Sequence, residues 1–375
     1  MRIALISPTL SGGGAERVAS VLSNEWVNKG KSVTLITFEA PGTEPGYALD
    51  PRVLLRQIDG LNRDAGLAGR VSTNLRRLVR LRRILKEMDA DVVVAFTTEA
   101  NVVTLVATRG LGIPSIVSER NQPNRPGLGR FSRAARRLAY PFASGIVVQT
   151  QELACWSRQH FTVPVHILPN PVRLEQIHER AGDDVSRRPE IVAVGRLVPQ
   201  KGFDILVAAF AKVAPKHSDW RLTIYGEGPS RFALETQVRE AGLQQRVTLP
   251  GFVTGVDAAL QTAGIFVLSS RFEGYPNALL EALAASCPAV AANCPGGVSE
   301  ILGANEFGML VPNEDSGALA AALGQMMSRP ELREHYAGKA RRGVEHLGAA
   351  VIGDRWLEVF KPLQGKHRSK DLGWL

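Results

Sequence analysis

The sequence predicts an α/β protein built of two doubly wound, Rossmann-like domains, and three observations carry that expectation. The chain has 375 residues, too many for one ordinary core and suited to two α/β domains. Short apolar runs alternate with amphipathic stretches, the mark of βαβ units around a parallel sheet. The alternation then restarts near residue 190, after a Pro-Asn-Pro turn and a polar, charged stretch.

In the first series, Arg2–Ser7 reads as a strand rich in Ile and Leu. Ala15–Lys29 follows as a helix, with Val18, Val21, Leu22 and Trp26 at helical spacing and Gly30 as its stop. Ser32–Phe38, Asp91–Phe96, Ser115–Ser118 and Gly145–Gln149 are the further strands. In the second series, strands are expected at Glu190–Val194, Arg221–Tyr225, Val247–Leu249, Ile265–Ser269 and Ala289–Ala292. Helices are expected at Phe203–Val213, Arg231–Ala241, Val256–Ala263 and about Ala278–Ala285. The first domain is set at 1–170, a linker with Gly182, Asp183 and Asp184 at 171–188, and the second domain at 189–349. A last helix near Ala350–Phe360 opens the segment 350–375, expected to cross back to the first domain. The polar end of that segment frays or docks through Trp374 and Leu375. No repeat with a period of about 20–50 residues is apparent.

Composition narrows the class. Hydrophobic residues make up 45% and charged residues 22%, which is globular. The three cysteines, Cys155, Cys287 and Cys294, show no CxxC spacing, so neither a disulfide framework nor a zinc site is expected. The apolar run after Arg2 lasts four residues, too short for a secretory h-region, and no run of 18 apolar residues occurs. A cytoplasmic setting follows as the expectation. The net charge of +9 is uneven: residues 1–170 hold 22 Lys/Arg against 13 Asp/Glu, and the remainder balances. A basic first half favours an anionic partner such as phosphate, anionic lipid or nucleic acid, with charge for solubility as the plain alternative.

Three constellations carry chemistry. Ser11-Gly12-Gly13-Gly14-Ala15-Glu16-Arg17 follows a strand and opens a helix, so the backbone can approach a ligand and free N–H groups face an anion. A plain glycine turn would look the same. The run is not GxGxxG and lacks an acidic residue spaced to read a ribose, which disfavours a nicotinamide site. Gly195-Arg196-Leu197-Val198-Pro199-Gln200-Lys201-Gly202 puts two cations on a loop at a strand's carboxyl end, where they can clamp a diphosphate or simply be solvated. It lacks Walker A spacing. Arg271-Phe272-Glu273-Gly274-Tyr275-Pro276-Asn277-Ala278-Leu279-Leu280-Glu281 puts one carboxylate before a turn and a second in an apolar helix. Both can accept hydrogen bonds from vicinal hydroxyls, and a buried carboxylate needs a partner.

Together these residues resemble glycosyltransferase family 4, the retaining enzymes of the GT-B fold. Glu273 and Glu281 match its E-x7-E motif. Gly195-Arg196 with Lys201, Gly12-Gly13-Gly14-Ala15-Glu16-Arg17, and Pro295-Gly296-Gly297 with Glu300 match three further motifs, in order over nearly the whole chain. The resemblance implies a GT-B architecture, two doubly wound Rossmann-like domains facing across a cleft, that transfers sugar from a nucleotide diphosphate, with UDP the expected carrier. It implies Arg196, Lys201 and Glu273 as the catalytic residues. Glu273 would hold the donor sugar and Glu281 the ribose hydroxyls. Arg196 and Lys201 would stabilise the diphosphate. Gly195 and the N–H groups of Gly13, Gly14, Gly274, Tyr275, Pro276–Asn277 and Ala278 would complete the donor site. No metal and no cofactor are expected, since the nucleotide sugar is itself the substrate.

One position departs from the family. Many members carry His in a Ser-Glu-His setting near residue 117, and here the segment reads Ser118-Glu119-Arg120-Asn121. Arginine accepts no proton. Either Arg120 contacts donor sugar or phosphate, or Glu119 acts locally. Gly12, Glu16, Glu119, Arg120 and Asn121 are therefore the candidate residues of the acceptor or sugar side.

Two arginine clusters complete the first half. Arg70–Lys86 reads as a basic amphipathic helix with Leu75, Leu78, Val79, Arg82 and Leu85 along its stripe. Arg125–Arg137 places Arg130, Arg133, Arg136 and Arg137 at helical spacing. The chain is most similar to the subgroup that extends polyprenyl-diphosphate-linked glycans, which shares Gly-Gly-Ala-Glu-Arg and a segment like Tyr140-Pro141-Phe142. That implies a lipid-linked or surface-glycan acceptor and a peripheral place on the inner face of the cytoplasmic membrane, with solvated helix faces as the plain alternative. Nucleic acid is not an expected partner, because no known nucleic-acid motif appears. A nucleotide-sugar epimerase of the same fold and a non-catalytic nucleotide-sugar binder are the alternative functions.

Overall fold

The computed structural model describes residues 1–58, 67–120, 129–174, 187–253 and 255–363. Asn121, Arg125, Gly182, Asp183, Asp184, Trp374 and Leu375 lie outside the described residues. The chain divides into two compact units, Met1–Pro171 with Ala349–Leu375, and Val172–Gly348.

Unit 1 runs through β1 (Arg2–Ser7), α1 (Gly14–Asn28), β2 (Ser32–Thr37), β3 (Leu54–Gln57), α2 (Leu67–Met88) and β4 (Val92–Phe96). It continues with α3 (Thr98–Thr108), β5 (Ser115–Ser118), α4 (Arg130–Ala139), β6 (Gly145–Val148), α5 (Gln151–His160) and β7 (Val165–Ile167). The strands form one parallel sheet in the order β3-β2-β1-β4-β5-β6-β7. Unit 2 runs through β8 (Arg188–Val194), α6 (Phe203–Val213), β9 (Arg221–Tyr225), α7 (Arg231–Glu240), β10 (Val247–Gly251) and α8 (Asp257–Thr262). Then come β11 (Ala263–Leu268), α9 (Asn277–Ala284), β12 (Ala289–Ala292), α10 (Val298–Leu302), β13 (Met309–Val311), α11 (Ser316–Ser328) and α12 (Pro330–Ala340). Its sheet is also parallel, in the order β10-β9-β8-β11-β12-β13.

Parallel strands covered on both faces must be apolar throughout, and this explains which strands the sequence shows. In β1 and β4, residues Ile3–Ile6 and Val92–Phe96 are all essentially inaccessible. The strands that pattern reading misses, β3, β7 and β13, are all at sheet edges, and the last two are three residues long. An edge strand buries less and so lacks the apolar run.

The last helix, α13 (Ala349–Phe360), belongs to unit 1 and docks on α1. The Trp26 ring meets Trp356 and Phe360 edge-on, with centroids 6.1 and 5.5 Å away. Each such buried aromatic contributes about 1.5–3 kcal/mol. Gly353 lets the helices approach, since a Cβ there would stand 2.6 Å from Glu25 Cγ. Trp26 Nε1 donates to the Gly353 carbonyl at 3.3 Å, and Lys29 pairs with Asp354 at 2.9 Å. No helix among the described residues is long and apolar enough to cross a membrane.

Candidate active site

The candidate residues of unit 2 gather at the carboxyl ends of parallel strands, where open α/β sheets bind ligands. β8 ends at Val194 and the chain turns through Gly195–Lys201 into α6. Gly202 makes this entry possible. Its φ is +61°, and a Cβ there would stand 2.0 Å from the Ser269 carbonyl oxygen. Gly195 gives space of another kind, because the Lys201 stem lies 3.2 Å from where its Cβ would be. Laid over Gly195, Lys201 donates from Nζ to Glu273 Oε1 at 2.6 Å. Ser270 Oγ donates to the same oxygen at 2.6 Å. Glu273 itself is buried.

The loop after β12 holds that carboxylate in place. Glu273 N–H donates to the Pro295 carbonyl at 2.9 Å, and Gly297 N–H to the Gly274 carbonyl at 3.1 Å. Gly296 has φ +122°, and a Cβ there would stand 2.5 Å from the Glu273 carbonyl oxygen. The Pro295-Gly296-Gly297 loop and the Glu273-Gly274 turn are thus one clamped feature. Burial and the Glu273 carboxylate push the neighbouring Cys294 thiol up to about 12, so it stays protonated and is no nucleophile.

Two arginines of the motifs have different fates. Arg271 is a strut: it grips Asp204 through bonds of 2.9 and 2.7 Å, the Pro199 carbonyl at 2.7 Å and Glu314 at 3.1 Å. Arg196 is exposed, and its side chain has no hydrogen bond or ion pair among the described residues. Tyr275 is half-buried, Pro276 caps α9, and Asn277 and Ala278 are its first residues. The ladder begins at Leu279 and Leu280, whose N–H groups both donate to the Pro276 carbonyl. Glu281, buried in the second turn, sits in an otherwise apolar helix.

A cation and an acceptor 2.6 Å apart, beside a helix start and a free guanidinium, can bind phosphate and hydroxyl groups side by side. Sequence reading misses Ser270, which shares Glu273, and the Gly226-Glu227-Gly228 turn. A Cβ on Gly226 or Gly228 would meet the Gly195 or Leu197 carbonyl oxygen at 1.9 or 2.4 Å. A Gly-x-Gly directly after a strand is the signal that could have found that turn.

In unit 1 the glycine run behaves differently from expectation. Gly12 has φ +128°, Gly13 is the N-cap of α1 and Gly14 its first residue. The Glu16 carboxylate folds back over Gly13, 1.8 Å from where a Cβ would be, and accepts from the Thr9 hydroxyl. A carboxylate at this place suits the positive end of the helix. The Glu16 carboxylate thus occupies the space in front of Gly13.

Glu119 is a buried hub. It accepts from Tyr140 Oη at 2.7 Å and Thr98 Oγ1 at 2.9 Å, and Arg136 lies 3.7 Å away. Burial and this carboxylate raise the Tyr140 phenol well above its ordinary value, so it remains a donor. Asn101 Nδ2 donates to the Tyr140 oxygen at 2.8 Å. Arg120, next in the chain, is buried and donates from Nη1 to Asn170 Oδ1 at 2.6 Å.

The arginine clusters are only partly surface. On α2 the buried face runs through Leu81 and Leu85, flanked by Leu78, while Leu75 and Val79 sit on the exposed face with Arg76, Arg80 and Arg83. Arg82 leaves the expected stripe to cap α3, donating to the Ala107 and Arg109 carbonyls at 2.8 and 2.6 Å. On α4, Arg136 is drawn into the core over the Trp156 ring at 4.7 Å. Arg130, Arg133 and Arg137 stay exposed beside Phe131 and Leu138, and Phe142 is exposed under Arg109 at 3.7 Å.

Comparison with known proteins agrees with this geometry. Residues 12–176 match the family described as Glycosyltransferase Family 4, and residues 176–343 match Glycosyl transferases group 1. The chain is 28% identical over 365 residues to a Campylobacter jejuni enzyme, covering 96% of this chain and 98% of that one. That enzyme is named as an alpha-1,4-N-acetyl-D-galactosaminyltransferase acting on a diNAcBac-PP-undecaprenol-linked glycan. The amylovoran biosynthesis glycosyltransferase AmsD of Erwinia amylovora is 26% identical, covering 95% of this chain and 98% of its own. Among solved structures, sucrose-phosphate synthase from Thermosynechococcus elongatus superposes with a TM-score of 0.85 at 18% identity, covering 96% of this chain and 98% of that one. Anabaena Alr3699/HepE, solved with UDP and glucose, superposes at 0.80 and 18% identity, covering 96% and 100%. The fold is GT-B, and the chain belongs to glycosyltransferase family 4.

Proposed function

We propose that this enzyme moves a sugar from a UDP-sugar to a lipid-linked or surface-glycan acceptor, with retention at the anomeric carbon and without a metal. The observation that carries this reading is the partly buried Lys201–Glu273 pair at the strand ends of unit 2, shared with Ser270. Lys201 and the free Arg196 neutralise the diphosphate as charge builds on the leaving group, which is a major catalytic contribution. Glu273 accepts from the donor sugar, Glu281 from the ribose, and the backbone from Gly274 to Ala278 lies along the sugar and phosphates. The departing phosphate takes the acceptor's proton, so no side-chain base is required. UDP is supported by the UDP-bound Anabaena neighbour, and a lipid-linked or polysaccharide acceptor by the named relatives. Those relatives are transferases, which favours transfer over epimerisation.

Unit 1 serves the acceptor in this reading. Exposed Phe131, Leu138 and Phe142 beside Arg130, Arg133 and Arg137 support docking on an anionic bilayer at the inner face of the cytoplasmic membrane. The test is a panel of nucleotide sugars with a polyprenyl-diphosphate-linked acceptor, with EDTA and NMR of the product anomer. Transfer from a UDP-sugar, unaffected by EDTA and giving the donor's anomeric configuration, is the expected result. Binding of no nucleotide sugar would overturn it, and inversion or loss of activity in EDTA would overturn the corresponding part.

A further inference from the structure

Arg120 is a buried cation without a counter-charge among the described residues. It follows β5 and keeps 7% of its surface exposed. Its two contacts are neutral: Asn170 Oδ1 at 2.6 Å from Nη1, and the Phe96 ring, whose centroid lies 3.9 Å from the guanidinium carbon. Nε and Nη2 are buried and have no hydrogen-bond partner among the described residues. Burial alone pushes the group down to about 9, with no carboxylate raising it, so it is still charged at neutral pH. Glu119, adjacent in sequence, is engaged by Tyr140 and Thr98 instead.

An unpaired buried charge is costly, and an apolar residue of the same size would stabilise the fold more. Such violations concentrate where function requires them. The surroundings point the same way. Thr97 Oγ1, Ser118 Oγ and both polar atoms of Gln149 are buried without partners among the described residues. Strand pairing sets them at one sheet edge: Phe96 is opposite Ser118, Ser118 is opposite Val147, and Thr97 N–H donates to the Ser118 carbonyl at 3.2 Å. Thr97 has φ +78°, a strained value for a β-branched residue. Strain, orphaned polar groups and a lone cation thus meet at the carboxyl ends of β4, β5 and β6.

We propose that Arg120 anchors a phosphoryl-anion site within unit 1, taking the phosphate or diphosphate of a substrate. The guanidinium edge carrying Nε and Nη2 is a planar fork that matches two phosphate oxygens. The hydroxyls of Thr97 and Ser118 and the Gln149 amide can donate to the others. Both arginine nitrogens are covered, so binding includes a turn of the Arg120 side chain. Only the source of the phosphate, donor or acceptor, rests on the glycosyltransferase reading.

The probe is inorganic pyrophosphate, titrated into the full chain at saturating UDP so that the site in unit 2 is filled. Binding is read by calorimetry and by the rise in Tm. Wild type binds, and Arg120→Met binds about tenfold to a hundredfold more weakly. Without pyrophosphate, Arg120→Met keeps or raises the Tm, because it removes an unpaired charge at similar size. Arg120→Lys keeps the charge but not the fork and falls between the two; it serves also if the Met variant does not fold. UDP affinity is measured separately. Pyrophosphate bound beside UDP in wild type and lost in Arg120→Met, with unchanged UDP affinity, identifies an acceptor phosphate; no pyrophosphate binding beside UDP in wild type, with UDP binding weakened in both variants, identifies the donor's. Equal pyrophosphate and UDP binding in wild type and both variants overturns the proposal. If no nucleotide sugar binds while pyrophosphate binding still depends on Arg120, the transferase reading falls and this site stands.

Discussion

Lys201 in unit 2 and Arg120 in unit 1 are both cations beyond the end of a parallel strand, and they are held in opposite ways. Lys201 lies against Glu273 at 2.6 Å, so the pair is close to neutral until a ligand competes for it. Arg120 has a neutral amide and an aromatic face, and its sequence neighbour Glu119 is spent on Tyr140 and Thr98. Consecutive residues at a strand end point to opposite sides, which is why adjacency in sequence does not become an ion pair. The difference separates two ways of preparing an anion site. One stores the cation with an internal partner, and the other leaves the charge unbalanced at a cost in stability.

The largest effect is expected at the paired cation. In the proposed reaction, Lys201→Ala removes charge stabilisation from the leaving group, and it leaves the Glu273 carboxylate buried with Ser270 as its side-chain partner. Transfer should fall about a hundredfold to a thousandfold. Steady-state assays with a UDP-sugar decide it, and full activity would break the comparison on the unit 2 side. Next comes Arg120→Met, with the tenfold to hundredfold loss of pyrophosphate binding and unchanged or higher Tm described above. A marked fall in Tm would show that Arg120 is structural after all.

Tyr140→Phe tests where Glu119 spends its charge. It removes a 2.7 Å donor to the carboxylate and the acceptor for Asn101. Denaturant unfolding should show a loss of about 1.5–3 kcal/mol, with UDP affinity per folded molecule unchanged. The smallest effect belongs to Arg271 and Asp204. The Arg271 guanidinium holds the Asp204 carboxyl below its usual 3.8. A depressed carboxyl contributes stability that is complete above its unfolded pKa and is lost as pH falls through the folded value. Asp204 is about half exposed, so screening keeps the pair under about 1 kcal/mol. Arg271→Gln should therefore narrow the stability difference between pH 6 and pH 3 slightly. An unchanged acid limb would mean that Arg271 acts only through its Pro199 bond.

Much of the candidate site of unit 2 was legible in the sequence because the chain order of motifs coincides with the strand ends that carry them. Glu273, Lys201 and Gly195 announce themselves by residue type and spacing. Ser270 did not, since a serine at a strand end looks like any other. The basic helices were legible as helices but not as faces. Nothing in the spacing of Arg82 or Arg136 says that one caps α3 and the other lies over Trp156.

By itself, then, the sequence determined the alternation of strands and helices, the two parallel sheets and the motif residues that gather at the strand ends of unit 2. These depend on local periodicity and on glycines whose backbone need is local. Tertiary structure alone decided which charges are balanced. It set Lys201 against Glu273 across 72 residues, folded Glu16 onto its own helix start, and turned Glu119 away from Arg120. Whether a buried charge finds a partner depends on which strand ends lie side by side, and that is fixed by the order of strands in the sheet rather than by the order of residues in the chain.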